Sequence, residues 1–202
     1  MKFDRQKYFS GYREEFGAII LRARVGAIET LLSFLENDQE VTDVRWIAYM
    51  LATVKHETAD TFAPIVEMGQ RSYFDKYETG TRTGKRLGNT RPGDGFLYRG
   101  RGYVQITGRA NYAEMDSVIL SLGDNSLIQQ PDWACEPRIA YDIMSYGMRN
   151  GSFTGGALRH YLNGKATDYK NARRIINGTD KADLIAGYAE KFEKILRAAR
   201  TE

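Results

Sequence analysis

The chain is poor in the residues that build covalent staples and metal centres. Of its 202 residues one is cysteine and two are histidine. Cys135 alone cannot close an internal disulfide, so the chain folds without bridges, as a protein made in a reducing compartment does. Long apolar runs are missing too: none approaches the roughly 20 residues of a membrane span. The opening stretch "MKFDRQKYFSGYREEFG" is charged throughout, unlike a secretory leader. Work beyond the membrane would need some other means of release. There is no internal repeat and no low-complexity segment. What is present is an ordinary globular composition, 42% hydrophobic and 27% charged. The length suits one compact domain over 1–202, or a large lobe with a small one.

The hydrophobic pattern is mainly helical. Residues 3–37 read as helix, with Ile19, Ile20, Ala23, Ala27, Ile28, Leu31, Leu32 and Leu35 at helical spacing. Asn37 and Asp38 end it. A second helix starts at Thr42 or Asp43, both good N-caps, and places Val44, Ile47, Met50, Leu51 and Val54 in one stripe. From Pro64 to Phe96 the pattern fails, and "TGTRTGKRLGNTRPGDGF" reads as a long exposed loop. "YRGRGYVQITG" is the one strand-like piece. Helices follow from about Asn111, after Pro137 up to Gly151, over "YKNARRIING" with its Asn177-Gly178 stop, and from Asp180. The last carries Leu184, Ile185, Tyr188, Phe192, Ile195, Leu196 and Ala199 on one face.

The second helix ends in "KHETADTF", Lys55 to Phe62. Glu57 lies three residues after Val54 and seven after Met50, so it continues the apolar stripe. It also sits at the negative end of the helix dipole. Apolar surroundings and that dipole both favour an uncharged carboxyl, the form a general acid requires. A frayed helix end explains the same pattern. Zinc does not: the motif H-E-x-x-H would need a second histidine where Asp60 stands, and only His160 and Cys135 remain as ligands. No metal or cofactor is expected. Glu67 follows across Pro64, and a turn and return would bring it opposite Glu57. Two acids about a sugar bond are the minimum equipment for glycoside hydrolysis.

In "GRGYVQITG" strand alternation would put Tyr103, Gln105 and Thr107 on one face and Val104 and Ile106 on the other. A phenol, an amide and a hydroxyl together suit a sugar, although an edge hairpin facing water reads the same way. Phosphate-loop and dinucleotide fingerprints are absent.

"HETADTFAPIVE", then "YRGRGYVQITGRANY", then "RRIING" together resemble glycoside hydrolase family 19, the chitinase-like fold, in its bacteriophage endolysin branch. The ordered motifs run from Tyr49 to about Gly178. The resemblance implies a lysozyme-like, two-lobed helical domain with a short β-element and a substrate groove. It makes Glu57 the general acid and Glu67 the second carboxylate, with a loop between them shorter than in plant chitinases. Thr107 falls where the family holds the attacking water. Gln105, Asn111, Tyr112 and Asn177 match groove positions. Tyr98 and Arg101 lie in the signature and His56 lies beside the acid; all three join the substrate-binding set. In plant members an arginine of the C-terminal helix contacts the acid. Leu184 stands nearest that place here, which leaves Arg173 and Arg174 as candidates. The implied chemistry is single-displacement hydrolysis with inversion.

Chitin and the peptidoglycan glycan strand share β-1,4-linked N-acetylated sugars. Phage-like flanking segments, no leader and no disulfides favour peptidoglycan, cut by a monomer without a wall-binding module. Such a lysin would wait in the host cytoplasm until a holin opens the membrane. A chitinase, a lytic transglycosylase and a non-enzymatic wall-binding protein are the alternatives. Net charge is only +3, yet Arg71 to Arg109 holds nine basic residues and three acidic ones. Such an excess suits a polyanion. No nucleic-acid recognition motif accompanies it. Lys191, Lys194, Arg197 and Arg200 lie opposite the apolar stripe of the last helix. They offer a contact with anionic lipid, or a solvated face of a packed helix.

Overall fold

A computed structural model describes residues 1–17, 19–119 and 122–201. In chain order the elements are α1 (Arg5–Phe16), α2 (Arg22–Asn37), α3 (Val44–Glu57), β1 (Ile65–Val66), α4 (Arg82–Arg86), α5 (Asp94–Leu97), β2 (Arg101–Gly102), α6 (Arg109–Val118), α7 (Pro137–Asn150), α8 (Leu158–Tyr161), β3 (Leu162–Asn163), β4 (Ala166–Thr167), α9 (Tyr169–Ala172) and α10 (Ala182–Ala199). Short 3-10 turns cover Arg71–Tyr77, Pro131–Cys135 and Arg173–Ile175. The class is mainly α, as the sequence pattern indicates. Among the described residues no helix is long and apolar enough to cross a membrane. Two compact units are present: Met1–Phe62 with Ser145–Glu202, and Ala63–Met144.

The first unit is organised by α3. Asp43 caps it, its Oδ1 accepting from the Arg45 N–H at 2.9 Å. The sequence suggests a single apolar stripe, but every residue from Ile47 to Lys55 is buried. A helix this apolar on all sides belongs inside a core. α10 packs against α3, α1 and α9. Its buried face is Ile185, Ala189, Phe192, Ile195, Leu196 and Ala199, while Leu184 is 44% exposed and off that face. Phe192 gathers the rings of Phe16, Tyr12 and Phe62 at centroid distances of 4.8, 6.1 and 6.1 Å.

Residues 3–37 do not form one continuous helix. α1 stops before Gly17, whose φ of 112° no helix accepts. The stripe resumes only at Arg22, so Ile19 stands 86% exposed rather than in the core. The basic side of α10 is largely engaged within the unit. Lys191 donates to the Glu15 carbonyl at 2.9 Å, Lys194 pairs with the Glu15 carboxylate at 2.5 Å, and Arg197 pairs with Glu193 at 2.5 Å.

The second unit holds the region read as an exposed loop, and that reading fails. Phe74, Gly84, Asn89, Asp94 and Gly95 are all buried. The core there is polar, which is why no apolar period announces it. Asn89 donates to the Tyr77 carbonyl at 2.7 Å and accepts the Arg109 N–H at 2.7 Å. Asp94 accepts from the Thr90 and Arg91 N–H groups, each at 2.9 Å, and from Arg109 Nε and Nη2 at 2.8 and 2.6 Å. Burial alone would push the Asp94 carboxyl pKa up, but the Arg109 guanidinium and these two N–H groups outweigh it and hold it below the usual range.

A carboxylate with a depressed pKa stabilises the fold above its unfolded-state value and loses that effect as pH falls through the folded one. Replacing Asp94 with Asn should therefore cost the second unit about 3 kcal/mol at neutral pH, because Arg109 loses its buried partner. Urea unfolding of both proteins should show the gap narrowing once pH falls below the ordinary aspartate value of 3.8. A gap that is constant with pH would contradict this account of Asp94.

Candidate active site

Glu67 and most of the expected substrate-binding residues lie in the second unit. β1 pairs antiparallel with β2, Ile65 opposite Gly102 and Val66 opposite Arg101. After Gly102 the chain turns instead of continuing as a strand. Arg101 exchanges both backbone hydrogen bonds with Ile106, at 3.2 and 3.0 Å. Gln105 takes a positive φ of 54° to close the turn. The expected alternation is therefore lost, and Tyr103 is buried together with Val104 and Ile106. A sugar-facing place for Tyr103 is excluded.

The turn and ladder converge on Glu67. Its Oε2 accepts the Gly100 N–H at 3.0 Å and its Oε1 accepts the Tyr77 hydroxyl at 3.2 Å. Its own N–H donates to the Gly100 carbonyl at 2.7 Å. Gly100 lets the two side chains come close: a Cβ there would stand 2.8 Å from Gln105 Oε1 and 3.1 Å from Glu67 Oε2, and both would have to give way. Gln105 Nε2 donates to the carbonyls of Ile65 and Gly102 at 3.0 and 3.1 Å, tying the turn to β1. Thr107 Oγ1 donates to the Gln105 carbonyl at 2.9 Å, and Asn111 Nδ2 donates to the Thr107 carbonyl at 2.7 Å. Glu67, Gln105, Thr107 and Asn111 are all half-buried, so each is within reach of a ligand.

Tyr98, Arg101 and Tyr112 occupy a different place from the one the motif suggests. All three are buried. Tyr112 donates to the Arg99 carbonyl at 2.9 Å, Arg101 Nη1 donates to the Tyr112 hydroxyl at 3.1 Å, and Arg101 Nε meets Asp132 at 2.8 Å. Tyr98 donates to the Ile128 carbonyl at 3.0 Å. These residues hold the backbone from which Gly100 reaches Glu67. They are supports rather than contacts, and the correction has a simple cause: a strand motif marks positions without saying which way they point.

Glu57, His56 and Asn177 belong to the first unit. Glu57 is the last residue of α3, and its Oε1 accepts from Arg173 Nη1 at 2.7 Å. The Arg173 side chain is only 3% exposed and that of Glu57 is 17% exposed. Arg173 Nε donates to the Asp180 carbonyl at 3.0 Å, which fixes the guanidinium plane. Of the two arginines considered from sequence, the structure selects Arg173. No local pattern in the sequence announces this ion pair. A row of polar groups leads up to Glu57: Tyr49 and Thr53, both buried, precede it at intervals of four residues and share its helix face. A Tyr-Thr-Glu row at that spacing was a usable signal. His56 is half-buried and walls a shallow pocket of about 230 Å³ with Lys55, Ala59, Asp60 and Tyr188. Asn177 is exposed, its N–H donating to the Arg173 carbonyl at 3.0 Å.

The segment after Glu57 is unusual. Ala59, Asp60 and Phe62 have φ of 49°, 66° and 58°, the left-handed region that side chains resist. Two anchors impose it. Phe62 is fully buried in the aromatic cluster. Asp60 pairs with Lys55 and with Arg24, the latter at 2.8 Å. Lys55 Nζ is itself enclosed by rings, 4.6 Å from the centroid of Phe16 and 5.3, 5.7 and 5.9 Å from Tyr188, Tyr12 and Phe62. A strained turn held this firmly beside a helix-ending carboxylate is the usual company of a functional site. Glycine relieves such strain, so Ala59→Gly should stabilise the protein by about 1 kcal/mol. Thermal unfolding reads it directly, and a lower melting temperature would show that the turn is relaxed.

No protein-family model matches the chain, and no curated protein sequence matches it. Solved structures do. Chitinase C from Streptomyces griseus superposes with a TM-score of 0.60 over 98% of this chain and 95% of its own, at 17% identity. A bacterial family 19 chitinase gives a TM-score of 0.61 over 96% of this chain and 94% of its own, at 16% identity. At this identity the likeness is one of fold: the chain has the mainly helical fold of these chitinases, the fold that its motifs resemble.

Proposed function

We propose that the protein is a glycoside hydrolase cleaving β-1,4 bonds of the peptidoglycan glycan strand. The observation that carries the reading is Glu57, a carboxylate at the end of a buried helix with a buried arginine fixed against it. In this reading Glu57 protonates the glycosidic oxygen. Glu67, oriented by Gly100 and Tyr77, directs a water with the help of Thr107. Inversion requires room for that water, with the carboxyl groups roughly 6.5–9.5 Å apart. Arg173 keeps the Glu57 carboxyl pointed along one direction and stabilises it as the anion left after proton transfer. Residues 1–202 act as one catalytic domain, a monomer that needs no cofactor.

The polymer is inferred from the endolysin-like motifs and flanking segments. A phage lysin of this kind waits in the host cytoplasm and reaches the wall after a holin opens the membrane. Chitin is the substrate named for both structural neighbours and is the principal alternative. The engaged cations of α10 favour a packing role for that helix over contact with anionic lipid.

Purified Gram-negative sacculi, digested and analysed by mass spectrometry beside chitin oligomers, test the proposal. Reducing sugar ends are expected from the sacculi. Ends of the 1,6-anhydro type would identify a lytic transglycosylase, and release from chitin alone would make the protein a chitinase. Glu57→Gln should lower turbidity loss of permeabilised cells by at least about 100-fold, the scale of a lost general acid, with the melting temperature retained. Equal rates for the two proteins would leave a wall-binding protein.

A further inference from the structure

In the first unit, many cations meet carboxylates: Arg5 with Glu36, Arg24 with Asp60, Lys170 with Asp183, Lys194 with Glu15 and Arg197 with Glu193. Arg101, Arg109 and Arg138 of the second do the same, with Asp132, Asp94 and Asp142. Beside those pairs the second unit leaves Arg71, Lys76, Arg82, Lys85, Arg86 and Arg91 exposed. None of the six pairs with a carboxylate among the described residues. Of the three nearby acids Asp75 is exposed, and the other two are engaged by the backbone. Asp94 takes Arg109 and two N–H groups, and Glu78 accepts the Gly93 N–H at 2.8 Å. Residues 71–109 carry an excess of six positive charges on a chain of net +3.

Two of these cations rest on rings. The guanidinium carbons of Arg71 and Arg99 lie 5.0 and 4.2 Å from the centre of the Phe96 ring. Lys76 Nζ lies 3.5 Å from the centre of the Tyr73 ring and 4.6 Å from that of Tyr77. Tyr77 is the residue whose hydroxyl donates to Glu67, so the turn that carries Arg71 and Lys76 also contacts the second carboxylate. Arg82, Lys85 and Arg86 share the short helix α4, whose cap Thr81 accepts the Gly84 N–H at 2.8 Å. Like charges gathered on neighbouring elements repel one another, and an anionic partner relieves that repulsion.

We infer that this face, from the Arg71–Tyr77 turn through α4 to Arg91, binds the carboxylates on the peptide stems of the strand being cut. The inference rests on the hydrolase reading and deepens it. It gives a physical reason for preferring peptidoglycan, which carries carboxylates on every stem, over chitin, which carries none. The cations add affinity and encounter rate and take no part in bond cleavage.

The test compares wild type with Arg82→Gln/Lys85→Gln/Arg86→Gln on purified Gram-negative sacculi, which contain neither lipid nor wall phosphate polymer. A parallel sample has its carboxylates converted to methylamides. On untreated sacculi the triple variant should raise KM about tenfold with kcat unchanged, and its kcat/KM should depend less on salt. On amidated sacculi and on neutral N-acetylglucosamine oligomers the two proteins should be equal. Equal KM values on untreated sacculi, or the same loss on amidated ones, would overturn the inference. A second arm needs no turnover: Glu57→Gln should pellet with untreated sacculi at low salt and be released by salt or by amidation. If wild type cuts no glycan the hydrolase reading fails, and this pelleting still decides the fate of the basic face. Salt-insensitive pelleting would end it.

Discussion

The first unit depends on one ion pair. α3 is buried along three turns, and its last residue is a carboxylate. A guanidinium as enclosed as that of Arg173 is stable only with its donors engaged, because an unpaired buried charge costs several kcal/mol. Nη1 engages Glu57 and Nε engages the Asp180 carbonyl. That one planar group joins the end of α3, the 3-10 turn Arg173–Ile175 and the approach to α10. The fork geometry of arginine suits this task, since a lysine ammonium would not fix a plane. The constraint that stabilises the unit is also the one that aims the carboxylate.

The strained turn beyond Glu57 follows from the same burial. The chain must leave a helix enclosed on every side and return Phe62 to the core within five residues. A left-handed path does this, and the Asp60 contacts with Lys55 and Arg24 hold it. The phenol of Tyr12, pushed well up by burial and then by the Asp60 carboxylate, stays a neutral wall of the ring cage. Aromatic faces are tolerant neighbours for a cation stripped of water. Lys55 thus bridges the hydrophobic cluster and the polar turn.

Much of this was legible in the sequence, and the failures have particular causes. α3 could be read from its cap and apolar spacing, and Glu57 from its place at the end. Arg173 could be named only as one of two candidates, because its partner lies 116 residues away and no local pattern reports such a pairing. "GRGYVQITG" was located correctly and misread in shape. Nothing in its alternation shows that Gln105 takes a positive φ, and that one dihedral turns a strand face into a buried Tyr103. Ile19 and Leu184 were assigned to cores by spacing that presumed helices of a different phase or extent. The stretch from Pro64 to Phe96 reads as a long exposed loop because apolar periodicity is the main sequence signal of a core, and here Asn89 and Asp94 occupy the core in place of aliphatic residues.

That polar core explains the surface above it. A glycine-rich stretch with few aliphatic side chains cannot exclude water by apolar burial alone, so it closes around backbone groups that need acceptors and donors inside. Carboxylates are the strongest acceptors available, and Asp94 and Glu78 serve that need. Turning them inward removes them from the surface, while the arginines and lysines, which supply no acceptor, remain outside. An amide in place of Asp94 would offer one acceptor oxygen to a site that presents four donors. The basic face is thus a consequence of how this segment is packed, and a substrate bearing carboxylates would meet charges that the fold has already left without partners.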